Sequence, residues 1–116
     1  MNNLCLFRTI SNVTKRNIAI LTNTTVHTYY AYEQEKMDIP REISIMISKI
    51  YNIEEREIFC HESEISDNTF YKLKQLSSLS ENNRNVQLIY NLTGLRKDRV
   101  SFNQIHDIVD SIRKSL

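Results

Sequence analysis

Histidine, cysteine and acidic residues ordinarily carry catalysis or hold metal, and in this chain they are scattered. His27, His61 and His106 lie far apart, and the adjacent Cys60 and His61 lack the two further ligands that a tetrahedral zinc site takes. No cysteine or serine has a marked base beside it for nucleophilic attack. A chain with one glycine has no glycine-rich loop to cradle a nucleotide phosphate. These features predict a protein that is not an enzyme, with no cofactor and no metal. The dense stretch is TNTTVHTYYAYEQEK, residues 22 to 36. It sets hydroxyls and an imidazole ahead of three tyrosines, with the carboxylate of Glu33 directly behind. On a helix starting near Val26, positions 29 and 32 lie three apart and face one way. Tyr29 and Tyr32 are therefore expected inside, and the first turn (Thr25, Val26, His27, Thr28) outside. Tyr30 falls between the core rim and the exposed side.

Cap and turn signals supply the elements that must position this stretch. Asn2 or Asn3 can cap a first helix through Ser11, with Leu4, Phe7 and Ile10 inward. Thr14 caps a second helix over 15–22, in which Ile18 and Leu21 share a face with the small Ala19. Asn23 tolerates positive φ and ends it; Thr25 caps the third, which runs to Gln34. Pro40 is expected as the first residue of a fourth helix, with Ile43, Ile47, Ile50 and Met46 forming its apolar stripe and Asn52 its end. The segment IEEREIF predicts a short fifth helix with Ile58 and Phe59 inward. After the polar connector CHESEIS, a helix from Asp67 to Leu79 turns Phe70, Leu73 and Leu76 to one side. Another over 81–93 uses Val86, Ile89 and Tyr90 and stops near Gly94. Beyond the basic turn LRKDRV, Ser101 and Gln104 make a capping box. It opens a last helix whose stripe is Phe102, Ile105, Val109, Ile112 and Leu116, with Asp107, Asp110, Arg113 and Lys114 opposite.

The composition agrees with an all-α chain. There is one glycine and one proline in 116 residues, which argues against a sandwich or barrel. The length suits one domain, or one domain with a helical appendage, and needs no disulfide staple. The expected division is a compact domain over 1–60, a connector over 61–66 and a helical segment over 67–116. Cys5 and Cys60 match no redox or ligand spacing, no run reaches membrane-spanning length, and no signal-peptide pattern opens the chain. A reduced, cytoplasmic setting away from membranes is the expectation. The net charge is +1, and residues 1–60 hold seven Lys/Arg against seven Asp/Glu. A nucleic-acid binder is usually more basic.

The run VTKRNIAILTNTTVHTYYAYEQ, residues 13 to 34, resembles the helix-turn-helix of the phage-repressor and Cro-like family, also called the xenobiotic-response-element (XRE) family. Val13 and Thr14 open its second helix, and Ile18–Ala19 stand at the family's Leu-Ala pair. Asn23 stands at the turn glycine, Thr25 at the recognition-helix cap, and Glu33 at a near-constant acid. Arg8 falls where the family carries an arginine paired with that acid. Downstream, IPREISIMISKIYNIEEREIF resembles the two closing helices. The resemblance covers residues 1–60 and implies a five-helix lambda-repressor-like bundle followed by a C-terminal helical segment.

The function so implied is a sequence-specific transcriptional regulator, a repressor, that binds double-stranded operator DNA. Thr25 and Thr28 would donate to phosphate or base edges, Val26 would rest on a thymine methyl, and His27 would donate to a purine acceptor. Lys15 and Arg16 would take phosphates at the start of the second helix, and Gln34 and Lys36 neighbouring ones. Tyr30 is divided between rim packing and DNA contact. Glu35 stands where the family commonly has glycine, close to the expected phosphate path. The tail words VSFNQIHDIVDSIRKS are similar, over that short stretch, to the multimerisation hook of SinR-type repressors. That similarity implies a homodimer through Phe102, Ile105, Val109, Ile112 and Leu116, unless the stripe packs only on preceding helices. The alternative is a Cro-like module that regulates another repressor protein through mixed oligomers of residues 67–116.

Overall fold

The computed structural model of the chain describes residues 1–96 and 105–116. Among the described residues there are eight α-helices and no strand. They are α1 (Leu4–Ser11), α2 (Lys15–Leu21), α3 (Val26–Glu33), α4 (Arg41–Tyr51), α5 (Arg56–Phe59), α6 (Asp67–Ser78), α7 (Glu81–Thr93) and α8 (His106–Ser115).

Local chemistry sets most of these boundaries. Thr14, Thr25, Ser66 and Ser80 each cap a helix by accepting a backbone N–H of the first turn, which satisfies a donor that has no intrahelical partner. Asn12 and Asn52 end α1 and α4 in the left-handed region, at φ 61° and 56°. Gly94 does the same after α7 at φ 75°. Pro40 sits one residue earlier than expected, as the N-cap of α4 at φ −58° and ψ 148°. Its extended ψ places it outside the helix.

Helices α1 and α6 pack together, as do α2 with α3 and α4 with α7, while α8 touches α2, α4 and α7. Their apolar faces close one continuous core. Leu4, Phe7, Ile18, Leu21, Tyr29, Ile43, Ile47 and Ile50 share it with Leu73, Leu76, Leu88, Ile89, Leu92, Ile105 and Val109. Phe7 meets Tyr51 edge to face, with centroids 6.0 Å apart. The core therefore runs across the boundary at residue 60. The connector contributes as well: it forms a short 3-10 turn at Glu62–Glu64 and buries Ile65. Asn3 Nδ2 donates to the carbonyls of Glu57 and Cys60, and Thr69 Oγ1 donates to the buried Glu57 carboxylate. Arg84 of α7 closes the end of α6 by donating to the carbonyls of Leu76, Ser77 and Leu79.

Three inward expectations are corrected. Phe59 is exposed, because α5 is a single turn that commits Glu57 and Ile58 to the core, and the next position swings outward. Tyr90 is partly exposed beneath the Arg96 guanidinium; the inward face of α7 is Leu88, Ile89 and Leu92. Leu116 is exposed at the end of the tail. The capping box at Ser101 and Gln104 and the stripe residue Phe102 lie outside the described residues.

Candidate nucleic-acid interface

Helices α2 and α3 are joined by residues 22–25, and that turn is built from threonines and one asparagine. Thr22 is buried and donates its hydroxyl to the Ile18 carbonyl at 2.8 Å; the Thr24 N–H reaches back to Ala19 O at 2.9 Å. Asn23 takes the left-handed conformation at φ 53°, which redirects the chain into α3. Thr25 Oγ1 then accepts the Thr28 N–H at 3.1 Å and donates to Thr28 Oγ1 at 3.0 Å.

The sides of α3 separate cleanly. Tyr29 and Tyr32 are 1% and 4% exposed, whereas Val26 and Tyr30 are 43% and 38% exposed. Thr25 and His27 are exposed and Thr28 is half-buried. The buried side is fixed to α1: Arg8 Nε donates to Glu33 Oε1 at 2.5 Å and Arg8 Nη2 to Oε2 at 3.3 Å. The Tyr29 hydroxyl donates to the same Oε1 at 2.8 Å. Burial, with Tyr51 and Glu33 nearby, pushes the Tyr29 phenol far above its ordinary range, so it stays a donor. The hydrogen bond to Glu33 likewise raises Arg8. A carboxylate served by three donors is a rigid anchor for the helix that carries it.

The outer rim joins three of the sequence-predicted residues. Lys15 Nζ lies 3.8 Å from the centroid of the Tyr30 ring, and Gln34 Nε2 donates to the Tyr30 hydroxyl at 2.6 Å. Arg16 and Lys36 are exposed. Glu35, where a glycine is common in the resembling family, adopts the left-handed conformation at φ 60°. Its carboxylate accepts the Asn2 N–H at 2.7 Å and lies 3.2 Å from the Met1 amino group. That amino group and the Asn2 N–H hold its pKa below the usual carboxylate range.

The tail reaches the same turn. Arg113 Nη1 donates to the Asn23 carbonyl at 2.6 Å, and Asn23 Nδ2 donates to Asp110 Oδ1 at 3.2 Å. Lys114 pairs with Asp110 at 2.9 Å. The opposite side of α8 is closed in: Ile105 and Val109 are each 1% exposed and Ile112 is half-buried. The stripe expected to pair two subunits thus sits, at Ile105 and Val109, in this chain's own core. Helices α2, α4 and α7 of the same chain cover it, leaving Leu116 outward. Sequence reading missed Asp110 and Arg113 as partners of the turn. Their three-residue spacing, which puts both on one helix face, was the available signal. Helix α7 also abuts α2, where Asn17 Nδ2 donates to Asn85 Oδ1 at 3.1 Å.

Among the described residues no cluster of His, Cys, Asp or Glu is suited to a metal ion, and no helix is long and apolar enough to cross a membrane. No family model matches the sequence, and comparison with curated proteins and with solved structures yields no match.

Proposed function

We propose that the chain is a sequence-specific DNA-binding transcriptional regulator, acting as a repressor in the cytoplasm, with α1–α5 as a lambda-repressor-like bundle. In this reading α3 enters the major groove by its N-terminal turn. Thr25, Val26, His27 and Thr28 meet base edges and phosphates. Lys15, Arg16, Gln34 and Lys36 hold the flanking backbone, and Tyr30 steadies Lys15 and Gln34. The observation that carries the proposal is the division of α3. Its capped first turn is open to solvent at Thr25, Val26 and His27, while Tyr29, Tyr32 and Glu33 are gripped from inside. The near-neutral charge is offset in part locally, because the Glu35 carboxylate is turned to Asn2 and the Met1 amino group.

Pairing of two copies on a two-fold site belongs to the proposal, and the pairing surface then lies outside Ile105 and Val109. The mixed-oligomer alternative would draw on residues 67–116. Most described apolar side chains there are committed to this chain's own core, which leaves that alternative Tyr71, Tyr90, Leu95 and Leu116 as outward apolar groups.

Selection of bound duplexes from a random pool, followed by titration at several salt concentrations, tests the reading. Three cationic phosphate contacts (Lys15, Arg16, Lys36) give a log–log salt slope of about −3 per bound chain. Thr28→Asp removes the binding, because a carboxylate faces the phosphates. The helical content stays intact, since an acid in the first turn of a helix is favourable. Binding that is unaltered in Thr28→Asp, or no binding by the unmodified chain at any salt, would refute the groove placement.

A further inference from the structure

Asn23 occupies a turn position where glycine would be sterically easiest, since its φ is 53°. An asparagine there sacrifices some backbone ease, and the structure uses the side chain so retained: Asn23 Nδ2 donates to Asp110 Oδ1 at 3.2 Å. Its carbonyl, lying at the end of α2, accepts Arg113 Nη1 at 2.6 Å. Both partners stand on α8, which is seated by Ile105 and Val109 in the common core and touches α2, α4 and α7. Asp110 is in turn held by Lys114 at 2.9 Å. Residues 87 and 90 positions away in sequence therefore grip both faces of the one residue that turns α2 into α3.

We infer that α8 is an intramolecular brace for the reading turn, and that Asp110 and Arg113 are positioning residues for α3. They touch no nucleic acid; they fix the angle at which Thr25 and the exposed first turn leave α2. The inference rests on the DNA-binding reading above and deepens it. A turn gripped at its carbonyl and at its side chain has fewer conformations to lose when a duplex is met, so bracing tightens binding without adding a contact. The salt behaviour separates the two possible roles of Arg113. A residue that neutralises a phosphate lowers the magnitude of the salt slope by about 0.9 when it is removed. A residue that only positions the turn leaves the slope as it was.

The test compares the full chain with Arg113→Ala, Arg113→Lys and Asp110→Ala on duplexes selected with the unmodified chain. Affinity and salt slope are measured, together with amide hydrogen exchange at residues 23–26. The brace predicts that Arg113→Ala weakens binding by about tenfold, the scale of a lost hydrogen bond from a charged group, at an unchanged slope. It also predicts faster exchange in the turn. Asp110→Ala behaves alike, and Arg113→Lys, whose ammonium still reaches the Asn23 carbonyl, restores most of the loss. Should Arg113→Ala match the unmodified chain in affinity and turn exchange, the brace is overturned while the DNA-binding reading stands. A slope reduced by about one unit overturns it too, by making Arg113 a phosphate contact. A full chain that binds no selected or random duplex overturns both readings. That result is distinct from the brace failing alone, because there the unmodified chain still binds. Asp110→Ala removes no cation, so it repeats the measurement should Arg113→Ala fail to fold.

Discussion

Glu33 is the residue on which the geometry of α3 turns, and its chemistry explains why. The side chain is 1% exposed, and its two oxygens are served by Arg8 and Tyr29. A buried carboxylate that loses its cation keeps the desolvation penalty without the compensating attraction, and breaking such a pair is costly. Arg8→Ala is accordingly expected to destabilise the chain by about 3 kcal/mol, measured as a lower urea midpoint at unchanged m-value. Glu33→Gln keeps an acceptor for Tyr29 and is expected to cost less. An Arg8→Ala chain as stable as the original would show that Tyr29 alone anchors the helix. Residue spacing made Tyr29 and Tyr32 legible as an inward pair, since positions three apart share a helix face. The Arg8–Glu33 partnership, spanning 25 residues, could not be read from spacing and entered only through resemblance. The hydroxyl of Tyr29 went unread as a donor, because an inward aromatic looks apolar in a periodicity argument.

Elements were legible where their causes are local. Thr14, Thr25, Asn23, Asn52 and Gly94 mark helix ends by chemistry that acts within one turn, and each stands at the end of a helix here. Phe59 and Tyr90 went the other way because a short or broad apolar stripe leaves its edge undecided, and only neighbours settle it. The docking of α8 was illegible for a related reason. A stripe of Ile105, Val109 and Ile112 states that something covers it and says nothing of what, so the preceding helices of the same chain and a second subunit read alike. The seat found for α8 is expected to make it sensitive to acid. Asp110 has its pKa lowered, first by the hydrogen bond from Lys114 and further by the Lys114, His106 and Arg113 charges. A carboxylate with a lower pKa folded than unfolded contributes stability that is complete above the unfolded value, about 4, and disappears as pH falls through the folded value. Below about pH 4 the Asn23 side-chain amide and the α8 amides are expected to lose exchange protection before those of α1. Asp110→Asn should flatten that pH dependence, and an equal response in the variant would place the acid sensitivity elsewhere.

At the scale of the molecule the decisive fact is that the core does not stop at residue 60. Leu73 of α6 is fully buried, as is Leu88 of α7, and both belong to the cluster that holds Leu4, Phe7, Ile43 and Ile47. A division into a compact 1–60 unit and an appended helical segment follows from a change in sequence character. Burial follows from which faces meet, and α6 lies on α1 as α7 lies on α4. Cutting the chain at residue 60 would bare those two faces of α1 and α4 together and leave Glu57 without the Thr69 hydroxyl. A fragment of residues 1–60 is therefore expected to show no cooperative thermal transition, while the full chain unfolds in one step by both circular dichroism and tyrosine fluorescence. Leu73→Ala supplies the same test without truncation. Loss of a fully buried leucine side chain is expected to cost about 3 kcal/mol, and because the core is shared, hydrogen-exchange protection should fall in α1 and α4 as much as in α6. Protection lost in α6 and α7 alone, with α1–α5 unaffected, would mean that the first sixty residues stand by themselves and that the second half merely rests on them.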